Sequence, residues 1–163
     1  MMESKRALLL SLLFPIFLLA GLTLKKQSTK SLGQSITLPI SGYDPRDLLS
    51  GHYLVYRIDY GVDVCESGSF SDAASETFFV CPNEKRVELF KPSTCDLAIR
   101  GSCSHGRFVA GVEKYFVPQE QALRLEKIVQ SGKASVVLAV SRDGQAVVKD
   151  LLIKGKRWQN IDN

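Results

Sequence analysis

The chain contains no C-x-x-C pair, so a thioredoxin-like redox centre or a zinc ribbon lacks its signature. It contains no G-x-S-x-G, no P-loop, no H-E-x-x-H and no G-x-G-x-x-G, which removes the common hydrolase, nucleotide, metalloprotease and dinucleotide patterns. Histidine is scarce: His52 and His105 stand alone, outside any metal-ligand spacing. No internal repeat or low-complexity tract occurs. A basic excess is also missing from most of the chain. The formal charge is +4 and the pI about 8.9. Residues 1–30 carry five basic side chains against Glu3, while residues 31–163 carry equal numbers of acids and bases. That balance excludes a basic nucleic-acid-binding domain as the bulk of the protein. At 163 residues and 45% hydrophobic content, the sequence has one domain's worth of core, too little for a multidomain enzyme or a multi-pass transporter.

One long apolar run is present. Residues 7–24 are uncharged, and as a helix they would span about 27 Å, close to a bilayer's hydrocarbon core. Lys5 and Arg6 precede the run and Lys25 and Lys26 follow it. Pro15 would kink such a helix, a distortion that membrane helices tolerate. Leu19-Ala20-Gly21 is followed by Leu22 where a lipoprotein would need cysteine. Gly21 and Thr23 give a poor cleavage context. The expectation is an uncleaved single-pass anchor at 7–24, with 1–6 cytoplasmic, 25–33 a polar spacer and 34–163 extracytoplasmic.

Cys65, Cys81, Cys95 and Cys103 all follow the apolar run. An even count beyond a translocation signal reads as two disulfides in an oxidising compartment. Three pairings are open; the short loop around Arg100-Gly101 favours Cys95–Cys103, leaving Cys65–Cys81.

Alternation and turn residues predict strands over 34–40, 53–64, 77–81, 86–90 and 107–117. Residues 91–104 read as irregular. Pro118 suits the start of a helix over 118–130, with Ala122, Leu125, Ile128 and Val129 at helical spacing and Gly132 as its stop. Asp143-Gly144 between 134–140 and 146–153 signals a hairpin. The expected fold is mainly β (α+β): a transmembrane helix followed by a small antiparallel barrel or sandwich with one helix.

Three groups are candidates for binding. Asp44, Arg46 and Asp47 put two carboxylates and a guanidinium in one loop, suited to a cation or a partner's charged group; they equally suit a local helix cap and ion pair. Gly51, His52 and Tyr53 open a strand, where histidine offers a titratable or ligating ring or is simply solvated. Glu113 and Tyr115 share one face of a strand, a carboxylate beside an aromatic, as in a recognition site or a half-polar core face. Ser41, Pro45 and Gly51 echo the order of a signal-peptidase Ser–Lys site, but the Ser-x-Met-x-Pro context is absent. No catalytic residue, metal site or cofactor is expected.

Residues 44–53 (DPRDLLSGHY) resemble the motif region of the bacterial GDYXXLXY family. Ile99-Arg100-Gly101-Ser102-Cys103 is similar to that family's I-x-G-x-C element. Gly111-Val112-Glu113-Lys114-Tyr115-Phe116-Val117-Pro118 is similar to its G-I-E-x-Y-F-V-P element. The naming motif departs at three places: His52 replaces Asp, Tyr56 replaces Leu and Ile58 replaces Tyr. The family carries no established activity. The resemblance implies a protein anchored in the bacterial inner membrane lipid, its domain in the periplasm, working beside a multi-pass membrane protein. The leading expectation is therefore a non-enzymatic accessory domain with residues 44–53 as its contact surface. The alternatives are a peptidase-like hydrolase using Ser41 or Asp44 with Asp47, and a ligand- or metal-binding sensor using His52.

Overall fold

In a computed structural model the described residues are 2–42, 53–63, 65 and 77–161, with the side chains of 2–10 outside that set. The chain opens with helix α1 (Met2–Leu32), about 46 Å long at 1.5 Å per residue. The polar stretch 25–32 continues this helix. Leu12, Leu13, Phe14, Ile16, Phe17, Leu18, Leu19, Leu22 and Leu24 are all exposed. Among the described residues no helix is long and apolar enough to cross a membrane. The described apolar part of α1, residues 11–24, is shorter than the roughly 20 residues a crossing needs. The apolar run itself begins at residues 7–10, whose side chains are not described.

Among the described residues ten short strands follow: β1 (Gln34–Gly42), β2 (Tyr53–Ile58), β3 (Thr77–Cys81), β4 (Arg86–Glu88), β5 (Ile99–Ser104), β6 (Arg107–Val109), β7 (Lys114–Phe116), β8 (Ala134–Val140), β9 (Ala146–Ile153) and β10 (Lys156–Arg157). Helix α2 (Gln119–Gln130) lies between β7 and β8, and a 3-10 turn (Trp158–Asn160) follows β10. A six-stranded sheet has the order β10-β9-β8-β1-β2-β7, and a four-stranded sheet the order β4-β3-β5-β6. Every pairing is antiparallel. The protein is thus mainly β, with curled antiparallel sheets that form a half-barrel.

One apolar cluster joins the two sheets. Leu38, Ile40 and Tyr56 from the larger sheet and Phe78, Val80 and Ile99 from the smaller contribute to it. Leu125 and Val129 of α2 close it. Pro118, with φ −57° and ψ 140°, is the N-cap of α2 and so sits just ahead of its first turn. The β8–β9 hairpin matches its Asp-Gly signal, with Gly144 at φ +83°.

Three strand expectations are corrected. Residues 99–104 form β5 where an irregular segment was expected; its inward positions are Ile99, Gly101 and Cys103, and the small central residue masks the alternation. Gly101 is required there: a Cβ would stand 2.5 Å from the Phe108 ring and 2.5 Å from the Val109 carbonyl. The strand expected over 53–64 ends at Ile58, because Asp59 accepts the Gly61 N–H at 2.8 Å and Gly61 turns at φ +73°. The strand expected over 107–117 divides at Gly111, φ +78°.

The disulfide pairing is also corrected. The bridges are Cys65–Cys103 and Cys81–Cys95. A loop linking Cys95 to Cys103 does not exist, since β5 carries Cys103 about 13 Å beyond Ile99 at 3.3 Å per residue. Bridged cysteines need Cα atoms roughly 5.5–6 Å apart.

The register also fixes direction. Lys25 of α1 pairs with Asp143 in the β8–β9 turn at 3.5 Å, and Thr29 is buried. Helix α1 therefore leaves the domain at the β8–β9 turn. From Gln34 beside Val140, β1 runs away from that end to Gly42, which lies opposite Tyr56. β2 then extends three further residues outward, to Tyr53.

Candidate functional site

Of the candidates read from the sequence, Asp44, Arg46, Asp47, Gly51 and His52 lie outside the described residues. Tyr53, Glu113 and Tyr115 lie within them; the β2–β7 pairing sets Tyr53 on one face and Tyr115 on the other, with Glu113 just ahead of β7. Tyr53 is opposite Phe116 in register and Leu54 is opposite Tyr115. The rings of Tyr53 and Phe116 lie 4.4 Å apart, and both are exposed, at 42% and 69%. Among the described residues β7 is the outer strand of its sheet, so this aromatic pair lies beside that edge.

Glu113 and Tyr115 face the other way, half-buried. One carboxylate oxygen, Glu113 Oε1, accepts the Ala110 N–H at 2.7 Å and the Tyr60 hydroxyl at 3.5 Å. The Glu113 carbonyl accepts the Tyr56 N–H at 3.1 Å. The Tyr56 hydroxyl, deep in the core, donates to the Val112 carbonyl at 2.7 Å. Residues 110–113 form a turn with few internal backbone bonds, so side chains and β2 supply its partners. Tyr115 accepts a hydrogen bond from Trp158 Nε1 at 3.3 Å, tying the chain's last turn to β7.

Both phenols are held well above the ordinary tyrosine range. For Tyr56 and for Tyr60 the largest cause is burial, followed by the nearby charge of Glu113. They therefore stay neutral and act as donors to fixed acceptors, a poor starting point for nucleophilic or acid–base work.

A cleft of about 600 Å³ opens on this cluster, lined among others by Arg57, Asp59, Tyr60, His105, Arg107 and Phe108. The Tyr60 and Phe108 rings meet edge-on at 5.0 Å. His105 sits at φ +52°, with its Nδ1 3.0 Å from the Ser104 hydroxyl. The spacing of Tyr56 and Tyr60 already puts them on one face of an extended segment. Their convergence on 110–113 was invisible, because it depends on a fold-level pairing.

Ser41 is exposed on β1, opposite Arg57 in register. Cys81, Glu84 and Cys95 lie close enough to share an ion. Two of those three ligand atoms are consumed by the Cys81–Cys95 bridge.

The architecture defines a class: a small antiparallel β domain, stapled by two disulfides and preceded by a long helix. Within that class, the family described as "GDYXXLXY protein" matches residues 15–151, and the chain belongs to this family. No curated protein and no solved structure matches it.

Proposed function

We propose that the protein is a membrane-anchored extracytoplasmic interaction domain that serves an integral membrane partner and catalyses no reaction. The observation that carries this reading is α1. Its apolar residues are exposed all round from Leu12 to Leu24, whereas its last turns are packed on the domain. Such a helix is unfavourable in water and suited to lipid or to another apolar helix. With residues 7–10 included, its uncharged length reaches the thickness of a bilayer core. Two disulfides support an oxidising compartment, here the periplasm, with the anchor in the bacterial inner membrane.

The partner contact proposed for residues 44–53 gains a geometric condition. Tyr53 lies at the end of the sheet remote from α1. At 3.3 Å per residue, the path from Gln34 to Gly42 and on to Tyr53 is about 35 Å. A multi-pass partner would therefore reach it with an extracytoplasmic segment. The Tyr53–Phe116 pair supports an aromatic anchor for that contact, since exposed aromatics dominate interface energetics.

Alkaline carbonate extraction of membranes tests the anchor: the protein is expected in the pellet, and its release into the supernatant overturns the reading. Affinity purification in mild detergent tests the partner. Recovery of a stable, solitary monomer with α1 intact argues against an accessory role.

A further inference from the structure

At the end of the sheet remote from α1, a second cleft of about 480 Å³ is lined by Lys127, Lys133, Lys154 and Lys156. Ile128, Ile153 and Ile161 supply its apolar lining. These lysines come from four places: the last turn of α2 (Lys127), the residue just before β8 (Lys133), the β9–β10 turn (Lys154) and β10 (Lys156). The Lys154 N–H donates to the Lys133 carbonyl at 3.0 Å, which fixes two of the four stems side by side. Lys154 and Gly155 have φ of +50° and +79°. The first position of such a two-residue turn favours asparagine, aspartate or glycine. A lysine held there projects its charge at some conformational cost.

Like charges gathered on one cleft repel unless something answers them. No acidic side chain lines the cleft among the described residues. Asp150 on β9 is taken by Arg157 at 2.8 Å, and Glu126 on α2 accepts from Gln130 at 3.4 Å. Residues 31–163 carry no net charge, so this concentration of four cations is local. The volume lies within the usual range of small-ligand sites, roughly 300–1,000 Å³.

We propose that this cleft binds a small organic phosphate, with its dianionic head among the four lysines and a short apolar group over the isoleucines. The site is independent of whether α1 crosses a membrane.

Calorimetry on the full chain in a neutral detergent, with phenyl phosphate as the probe, tests the proposal. Phenyl phosphate is expected to bind with a Kd at or below about 1 mM in low salt. Inorganic phosphate, lacking the apolar group, should bind about tenfold more weakly. Phenol should give no signal. Lys133→Ala with Lys154→Ala should weaken phenyl phosphate about tenfold, whereas Lys85→Ala with Lys91→Ala should not. As a check that needs no variant, phenyl phosphate should protect the four cleft lysines of the unaltered protein from acetylation and leave Lys85 and Lys91 reactive. Absence of binding, equal affinity for phosphate and phenyl phosphate, or protection spread over all lysines overturns the proposal.

Discussion

Replacing Glu113 with alanine removes one oxygen that answers two donors. The Ala110 N–H loses a 2.7 Å bond to a carboxylate, and the Tyr60 hydroxyl loses a 3.5 Å one. A hydrogen bond to a charged group is worth about 1.5–3 kcal/mol, and the long Tyr60 contact adds no more than about 0.5 kcal/mol. Glu113 is half-buried, so water replaces part of what is lost. The net cost should be about 1–3 kcal/mol. For a domain of this length, each kcal/mol lowers Tm by about 3–4 °C, which gives a drop of about 3–12 °C. Glu113→Gln retains a carbonyl oxygen at the same reach and should lose less than half as much. Circular dichroism melts of the full chain in detergent, disulfides intact, measure both variants. Equal loss in the two variants refutes the acceptor role. So does an alanine variant within about 2 °C of the parent, since the reasoning then assigns the 110–113 turn to the wrong group.

Peptide mapping without reductant should recover Cys65 linked to Cys103 and Cys81 linked to Cys95; a Cys95–Cys103 peptide would falsify the topology of β5. Loop-closure entropy assigns about 4 kcal/mol to the first bridge and about 3 kcal/mol to the second, so Cys65→Ser with Cys103→Ser should lower Tm more than Cys81→Ser with Cys95→Ser. Gly101→Ala forces a methyl against the Phe108 ring and the Val109 carbonyl and should cost about 1–3 kcal/mol. An unchanged melt for that variant means β5 and β6 are not as close as described. Stability should also fall at high pH. Tyr56 and Tyr60 have folded pKa values above their unfolded ones, so their contribution is whole below about pH 10 and is lost as pH rises, where the unfolded chain releases protons the folded one keeps. Absorbance at 295 nm should show their phenolates appearing only with unfolding. Ionisation of all five tyrosines before any loss of near-ultraviolet dichroism contradicts the burial argument.

Elements with strong local chemistry were legible in the sequence. The 134–153 hairpin carried both alternation and an Asp-Gly turn, and α2 carried a proline start, a helical apolar face and a glycine stop. β5 was not legible, because Gly101 and Ser102 leave no alternating bulk to read and the close approach of Phe108 is a tertiary fact. The cysteine pairing failed for the same reason: a strand read as a loop puts two cysteines falsely near each other. Position relative to α1 was equally hidden. Residues 44–53 follow the helix closely in sequence, yet β1 and β2 carry Tyr53 to the far end of the sheet. The lysine cleft is not legible because its four cations are spread over α2, β10 and two turns that only the fold brings together.

The described parts of the three motifs that carry the family resemblance meet in space, and this bears on what they are for. β2, from the naming motif, pairs with β7, from the Gly111–Pro118 element, and Tyr56 donates both its N–H and its hydroxyl to that element. Gly101, from the third motif, admits the Phe108 ring, which packs against Tyr60, whose hydroxyl reaches Glu113. Cys103, at the end of the same motif, is bridged to Cys65. Tyr56, Gly101, Cys103, Val112 and Glu113 thus all make contacts within one connected network, while Tyr53, Lys114 and Phe116 are exposed. One described departure fits this view. Tyr56, in place of leucine, is fully buried and adds a hydrogen bond to Val112, a substitution that a packing position accepts and a reacting centre would not. In this chain, therefore, the buried and half-buried motif residues hold the fold together, whereas Tyr53 and Phe116, which belong to the same motifs, pair on the exposed face of β2 and β7.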